Sequence, residues 1–197
     1  PFIIVRPFII GDPLVGGSLS VDNGTWGGTL PITYSYQWYA DGSPILGATN
    51  DNLDLVSNYL GQTIKCEVTA LNICGSASSD SNNVVVVSPP ILVSANAISG
   101  NNYVGQVLST TNGDWVGTAP ITFTYEWKRV GQDAAIGTES TYTITSLDAD
   151  EYITCTVHAT NDFGSGSSVS NQVLVSINWG LGCAKNWGAS TNAVWGV

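Results

Sequence analysis

His158 is the chain's one histidine, so a nucleophile–base–acid set would have to be built around it. It stands in ITCTVHAT, Ile153 to Thr160, where apolar and polar residues alternate. Its parity is that of Thr154 and Thr156, the outward side of a strand. No spacing marks a nucleophile or a second acid beside it, so it reads as a surface residue and catalysis is not expected. The other concentration of reactive groups is Asp148-Ala149-Asp150-Glu151. Asp148, Asp150 and Glu151 could offer hard oxygens to Ca²⁺. The competing reading is a connection between two strands, where a short helical turn uses carboxylates as caps. That structural turn is preferred, and Asp51 and Asp54 are weaker candidates still. Neither a metal nor a cofactor is expected.

Thiols and indoles are the remaining reactive types. Cys66, Cys74, Cys155 and Cys183 fit no zinc-ligand spacing. Trp26 and Trp115 each sit in a glycine-flanked turn. A loop indole can stack on a sugar ring, but one repeated within a fold-defining stretch reads as a plug closing one end of a core. The end of the chain, NWGLGCAKNWGASTNAVWGV, places Trp179, Trp187 and Trp195 at intervals of eight (187 − 179 and 195 − 187). Eight is even, so on extended chain all three point to one side. A free row of three indoles is an apolar patch that demands cover. Burying one ring contributes a few kcal/mol, at roughly 25 cal/mol per Å² over about 150–250 Å². The tail is expected to dock on another subunit; folding back on its own domain and binding glycans are the alternatives. Cys183, between the first two tryptophans, could cross-link.

These groups need a scaffold, and composition bounds it. The chain has 197 residues, 43% of them hydrophobic, enough for one large or two modest packed domains. Only 10% are charged, against about 25% in ordinary soluble domains, with Gly, Ser, Thr and Asn in their place. The formal net charge of −10 gives no basic footprint for a phosphate backbone, so nucleic acid is not an expected partner. No apolar run approaches the roughly 20 residues of a membrane span, and no membrane partner is expected. No signal peptide is evident, methionine is absent, and the chain opens on Pro1, which suggests processing or a segment of something longer.

Sliding the chain against itself gives the architecture. DNGTWGGTLPITYSYQWYADG from Asp22 matches TNGDWVGTAPITFTYEWKRVG from Thr111 at an offset of 89 (111 − 22). Trp26 falls on Trp115, Pro31 on Pro120, Trp38 on Trp127 and Cys66 on Cys155. A unit of about 90 residues suits one β-sandwich. Ile32, Tyr34, Tyr36 and Trp38 alternate with polar residues, as do Ile64, Cys66, Val68 and Ala70. Period two with one apolar side is a half-buried strand. The spacing therefore predicts an all-β chain: a strand or linker at 1–7, sandwiches at 8–88 and 89–176, and a tail at 177–197. Pro89-Pro90 favours an extended link and an end-to-end arrangement with little swing. Val5-Arg6-Pro7 looks like Val87-Ser88-Pro89, so residues 1–6 could be a leftover last strand. PFII occurs at Pro1–Ile4 and Pro7–Ile10; Phe2, Ile3, Ile4 and Phe8 could add to a neighbouring sheet edge. The plainer reading is a first strand with a frayed end.

A central Trp followed 28 residues later (66 − 38) by Cys on an alternating strand resembles the immunoglobulin (Ig) fold. The resemblance implies two tandem Ig-like β-sandwiches, with Trp38 and Trp127 on strand C and Cys66 and Cys155 on strand F. It also implies that Leu19 and Leu108 stand where that fold's partner cysteine would be. The inter-sheet disulfide is then absent, and Cys66 and Cys155 are small buried apolar groups. The Tyr of a tyrosine corner is replaced by Ile64 and Ile153. The G-x-W-x-G-x-x-P opening and the V-x-A-x-N-x-x-G hairpin are similar to a bacterial and bacteriophage Ig-like repeat, found in extracellular, tail and capsid-associated proteins. That resemblance implies a non-enzymatic structural protein at a virion surface, with the PFII and Trp-Gly segments making assembly contacts. Its expected partners are copies of itself or a neighbouring structural protein in an oligomer, with weak glycan binding in addition. A segment of a bacterial surface adhesin is the alternative, and a carbohydrate-binding module a third.

Overall fold

The computed structural model describes residues 1–177 and is all-β, with two short 3₁₀ turns, Ser57–Tyr59 and Ser146–Asp148. The first repeat holds β1 (Phe2–Val5), β2 (Phe8–Ile10), β3 (Ser18–Asp22), β4 (Thr25–Gly27), β5 (Thr33–Ala40), β6 (Ser43–Pro44), β7 (Asn52–Asp54), β8 (Thr63–Asn72), β9 (Gly75–Asp80) and β10 (Val84–Val85). One sheet runs β2-β3-β7; the other runs β10-β8-β5-β6, with β9 also on β8. The alternation read from sequence fixes which side chains turn inward. Leu19, Val21 and Leu53 from the first sheet meet Trp38, Ile64, Cys66 and Val68 from the second in one buried cluster. Trp38 lies directly across from Cys66 in the β5–β8 ladder. Its indole N–H donates to the Asn50 carbonyl at 2.9 Å, which satisfies the ring's one polar group inside the core.

The second repeat holds β11 (Ile91–Ser94), β12 (Ile98–Gly100), β13 (Val107–Thr110), β14 (Asp114–Val116), β15 (Thr122–Arg129), β16 (Ala135–Gly137), β17 (Thr141–Thr143), β18 (Tyr152–Asn161), β19 (Gly164–Val169) and β20 (Val173–Leu174). Its sheets are β12-β13-β17 and β16-β15-β18-β19, with β20 on β18, the same order as before. Its core gathers Leu108, Trp127, Tyr142, Ile144, Ile153, Cys155 and Val175. Leu19, Leu108, Cys66 and Cys155 are all fully buried, and both cysteines are free thiols. The peptide bonds Leu30–Pro31 and Ala119–Pro120 are both cis.

The first strand of each repeat lies apart from these sheets. β1 pairs antiparallel with β4, setting Phe2 against Gly27 and Ile3 against Trp26. β11 pairs with β14 in the same register, setting Ile91 against Val116 and Leu92 against Trp115. Within the 1–7 strand or linker, Phe2–Val5 form a strand paired with β4 of the first repeat. The 89-residue register aligns Pro1 with Pro90, and not Pro7 with Pro89 as the Val-x-Pro likeness suggests. In the first repeat Gly27 leaves room for the Phe2 ring to lie over β4, where a Cβ would meet it; in the second, Val116 faces the smaller Ile91 in the same register.

Candidate assembly surfaces

Ladder pairing leaves the outward side chains of the first strand uncovered. Phe2 is 62% exposed and Ile4 61%, with Ile3, Val5 and Phe8 also exposed. The equivalent strand repeats this, with Ile91, Leu92 and Val93 exposed. Of the two readings of PFII, a free strand for a neighbouring sheet edge and a first strand, β1 is a strand with one edge occupied by β4, and its exposed side is a row of apolar side chains. The recurrence in β11 makes the row a property of the repeat, which sequence reasoning missed because Phe2-Ile3-Ile4 and Ile91-Leu92-Val93 share chemistry but few identities. Trp179, Trp187 and Trp195 lie outside the described residues, as does Cys183.

The loop indoles are half-buried. Trp26 donates through Nε1 to the Asn23 carbonyl at 2.7 Å and packs on the core beside Tyr34, ring centroids 6.4 Å apart. Trp115 donates to the Asn112 carbonyl at 2.8 Å, and Gly166 lies under its ring with no room for a Cβ. Each ring is fixed by its own turn and closes over its own sheet.

The Asp148 carboxylate, entertained above as a calcium ligand, is fully buried and committed elsewhere. Arg129 approaches Oδ1 through Nε at 2.7 Å and Nη2 at 2.6 Å. Oδ2 accepts from Tyr142 Oη at 2.7 Å, from Thr145 N–H at 2.7 Å and from Thr145 Oγ1 at 2.8 Å. Burial alone would raise the Asp148 pKa, but the bonds from Tyr142, Thr145 and Arg129 outweigh it, and the group ends below the ordinary carboxylate value. A carboxylate with this many protein donors and no exposed surface cannot reach a hydrated ion. Among the described residues no cluster of three acidic, His or Cys side chains could hold a metal. Asp148 does cap the Ser146–Asp148 turn, in a capping box with Thr145. The DADE stretch signalled that turn; Arg129, 19 residues away, and Tyr142, six away, carried no signal.

The first repeat solves the same place without charge. Subtracting 89 from Arg129, Tyr142, Thr145 and Asp148 gives Ala40, Leu53, Val56 and Tyr59. Ala40, Leu53 and Tyr59 belong to its hydrophobic cluster. His158 is exposed on β18, its outward parity as read from sequence.

No family model and no curated protein sequence matches the chain. Solved structures do resemble it. A three-Ig fragment of titin, I67–I69, is 18% identical with a TM-score of 0.44, over 87% of this chain and 65% of that one. The N-terminal eight Ig domains of Down Syndrome Cell Adhesion Molecule are 18% identical at 0.48, over 88% and 25%. Three N-terminal domains of the outer capsid protein Hoc of bacteriophage RB49 are 16% identical at 0.34, over 88% and 58%. This chain spans less than two thirds of each. These likenesses concern fold alone. The assignment rests on the strand order, three strands facing a larger sheet around a central Trp and Cys, found twice: the chain is a tandem pair of Ig-like β-sandwiches.

Proposed function

We propose that this chain is a non-enzymatic structural protein of a bacteriophage virion, a capsid decoration or tail-associated component. Its Ig-like arm is built of two sandwiches, and its terminal segments mediate assembly. The observation that supports this reading is the exposed apolar first strand, present in both repeats, on a chain with few charges. Apolar rows of this kind mark contact surfaces. The partners are subunits of the same or a neighbouring structural protein at the virion surface, and the working form is an oligomer. Weak glycan binding is a secondary role that a glycan array would test.

The deciding experiment bands native material on a density gradient and locates the chain by mass spectrometry. Co-migration with nucleic-acid-containing particles, at many copies each, is expected. Within that reading, deletion of residues 177–197, or the double substitution Phe2→Ser/Ile4→Ser, leaves both sandwiches folded and abolishes particle attachment. Normal attachment by both variants would sink the assembly role. A second reading, a segment of a bacterial adhesin or surface filament, draws on the strand-for-strand recurrence at 89 residues, the form longer arrays take. It expects migration with cell envelopes.

A further inference from the structure

Ser88, just ahead of Pro89-Pro90, is fully buried. Its N–H donates to Thr118 Oγ1 at 2.9 Å, and its carbonyl accepts from Thr118 N–H at 3.1 Å. The same carbonyl accepts from Asn161 Nδ2 at 2.8 Å, and that nitrogen also donates to the Thr118 carbonyl at 2.8 Å. Asn161 Oδ1 meanwhile accepts from Phe163 N–H at 2.9 Å, which fixes the side chain's orientation. Three donors and acceptors thus hold one extended residue.

The first repeat contains the same device. Thr29 and Asn72 are the residues 89 positions before Thr118 and Asn161. Asn72 Oδ1 accepts from Cys74 N–H at 2.9 Å, and Nδ2 donates to the Thr29 carbonyl at 2.7 Å, as in the second repeat. Its other amide hydrogen has no acceptor among the described residues, nor has the Thr29 N–H. Thr29 Oγ1 faces only the Cys74 thiol, 3.9 Å away. The approach path is also in place. A Cβ on Gly28 would lie 3.1 Å from the Pro1 Cα, and one on Gly117 would lie 3.1 Å from the Pro90 Cα. Pro1 thus sits over Gly28 as Pro90 sits over Gly117.

We infer that Thr29 and Asn72 form a receiving site for the exit strand of another Ig-like repeat, joined covalently through the Pro1 nitrogen. The site takes a small residue two positions before Pro1, as Thr118 and Asn161 take Ser88. Proline suits the residue between, since no donor is needed there and an extended path is. The chemistry recognised is a bare peptide unit: one carbonyl for Thr29 N–H and Asn72 Nδ2, one N–H for Thr29 Oγ1. This holds whether the chain serves a virion or a cell surface.

The test fuses Val-Val-Ser-Pro, the residues of 86–89, ahead of Pro1 in the full chain. Amide hydrogen exchange is then followed by NMR at Thr29 and Thr118 with and without the added segment. Thr29 is expected to exchange at least tenfold more slowly in the extended chain, approaching Thr118, whose rate stays unchanged as the internal reference for folding. Thr29→Val, which keeps the shape and removes the acceptor, is expected to return the added Ser amide to fast exchange. Equal Thr29 rates in the two chains would overturn the inference. So would equal protection from the unlinked, end-blocked tetrapeptide, since the site would then bind free peptide and not a continuous chain.

Discussion

Asp148 and Arg129 form a buried pair whose value depends on completeness. Removing one partner of such a pair costs about 3–5 kcal/mol, whereas replacing the whole group by apolar residues is often neutral or stabilising. The first repeat supplies the replacement set. Arg129→Ala should therefore lower the urea-unfolding stability of the second repeat by that amount. The fourfold change Arg129→Ala/Tyr142→Leu/Thr145→Val/Asp148→Tyr should leave stability at neutral pH undiminished. The pH dependence follows from the lowered Asp148 pKa. Its contribution is complete above the unfolded carboxylate value of about 3.9 and is lost as pH falls through the lower folded one. Unfolding of the wild type and of Asp148→Asn should differ most at neutral pH and converge below about pH 4. The thiols divide just as sharply. Burial pushes Cys66 up to about 12 and Cys155 up to about 11, while Cys74 is exposed. Iodoacetamide at about pH 8 should label Cys74 readily and reach Cys66 and Cys155 only in denaturant; mass spectrometry of digests checks this. The burial of Trp38, Cys66 and Leu19 was legible from alternation. The fate of Asp148 was not, because a carboxylate near a turn looks the same in sequence whether it faces water or an arginine 19 positions away (148 − 129).

Among the elements, the last strand of each sandwich is the least visible in sequence. β9 and β10 both pair with β8, so they are two halves of one strand interrupted at Ser81-Asn82-Asn83. The interruption is used. Ser81 Oγ accepts from Cys66 N–H at 2.9 Å, and Asn82 Oδ1 accepts from Ile9 N–H at 2.7 Å, tying the strand to β2 of the opposite sheet. Ser170 and Asn171 repeat both bonds, to Cys155 at 2.9 Å and Ile98 at 2.8 Å. Ser, Asn and Asn are residues that ordinarily make turns; here the stretch is a cross-sheet tie. Asn82→Ala leaves the Ile9 N–H without its acceptor and should cost about 1–3 kcal/mol. Hydrogen exchange at Ile9 should quicken while Ile98 keeps its rate. The pairing of β1 with β4 was likewise hidden, since Phe2-Ile3-Ile4 has no polar alternation to show which side is covered.

At the scale of the whole molecule, ten strands recur in order, seven of them with bounds shifted by 89 residues: β1, β4, β5, β7, β8, β9 and β10 against β11, β14, β15, β17, β18, β19 and β20. The repeat itself predicted this, because identical turn and alternation patterns have the same solution twice. Neighbouring copies of one fold in one chain carry a hazard, since a strand of one can enter the sheet of the other during folding. The unlike interiors at Asp148 and Tyr59 bear on that hazard. β17 placed in the first sandwich would bring the Tyr142 hydroxyl to a site with no carboxylate. β7 placed in the second would leave Asp148 and Arg129 with a leucine in place of a donor. The first error leaves the Tyr142 hydroxyl without its acceptor and the second leaves Asp148 one donor short, so the correct assembly is the one in which these groups are fully partnered. The fourfold variant erases this distinction. It should refold from urea with a larger fraction of soluble misassembled chain, measured by size-exclusion chromatography and limited proteolysis, even though its native state is no less stable. On that outcome, the charged knot in one sandwich and its absence from the other act as a proofreading device for the order in which the chain's own strands come together.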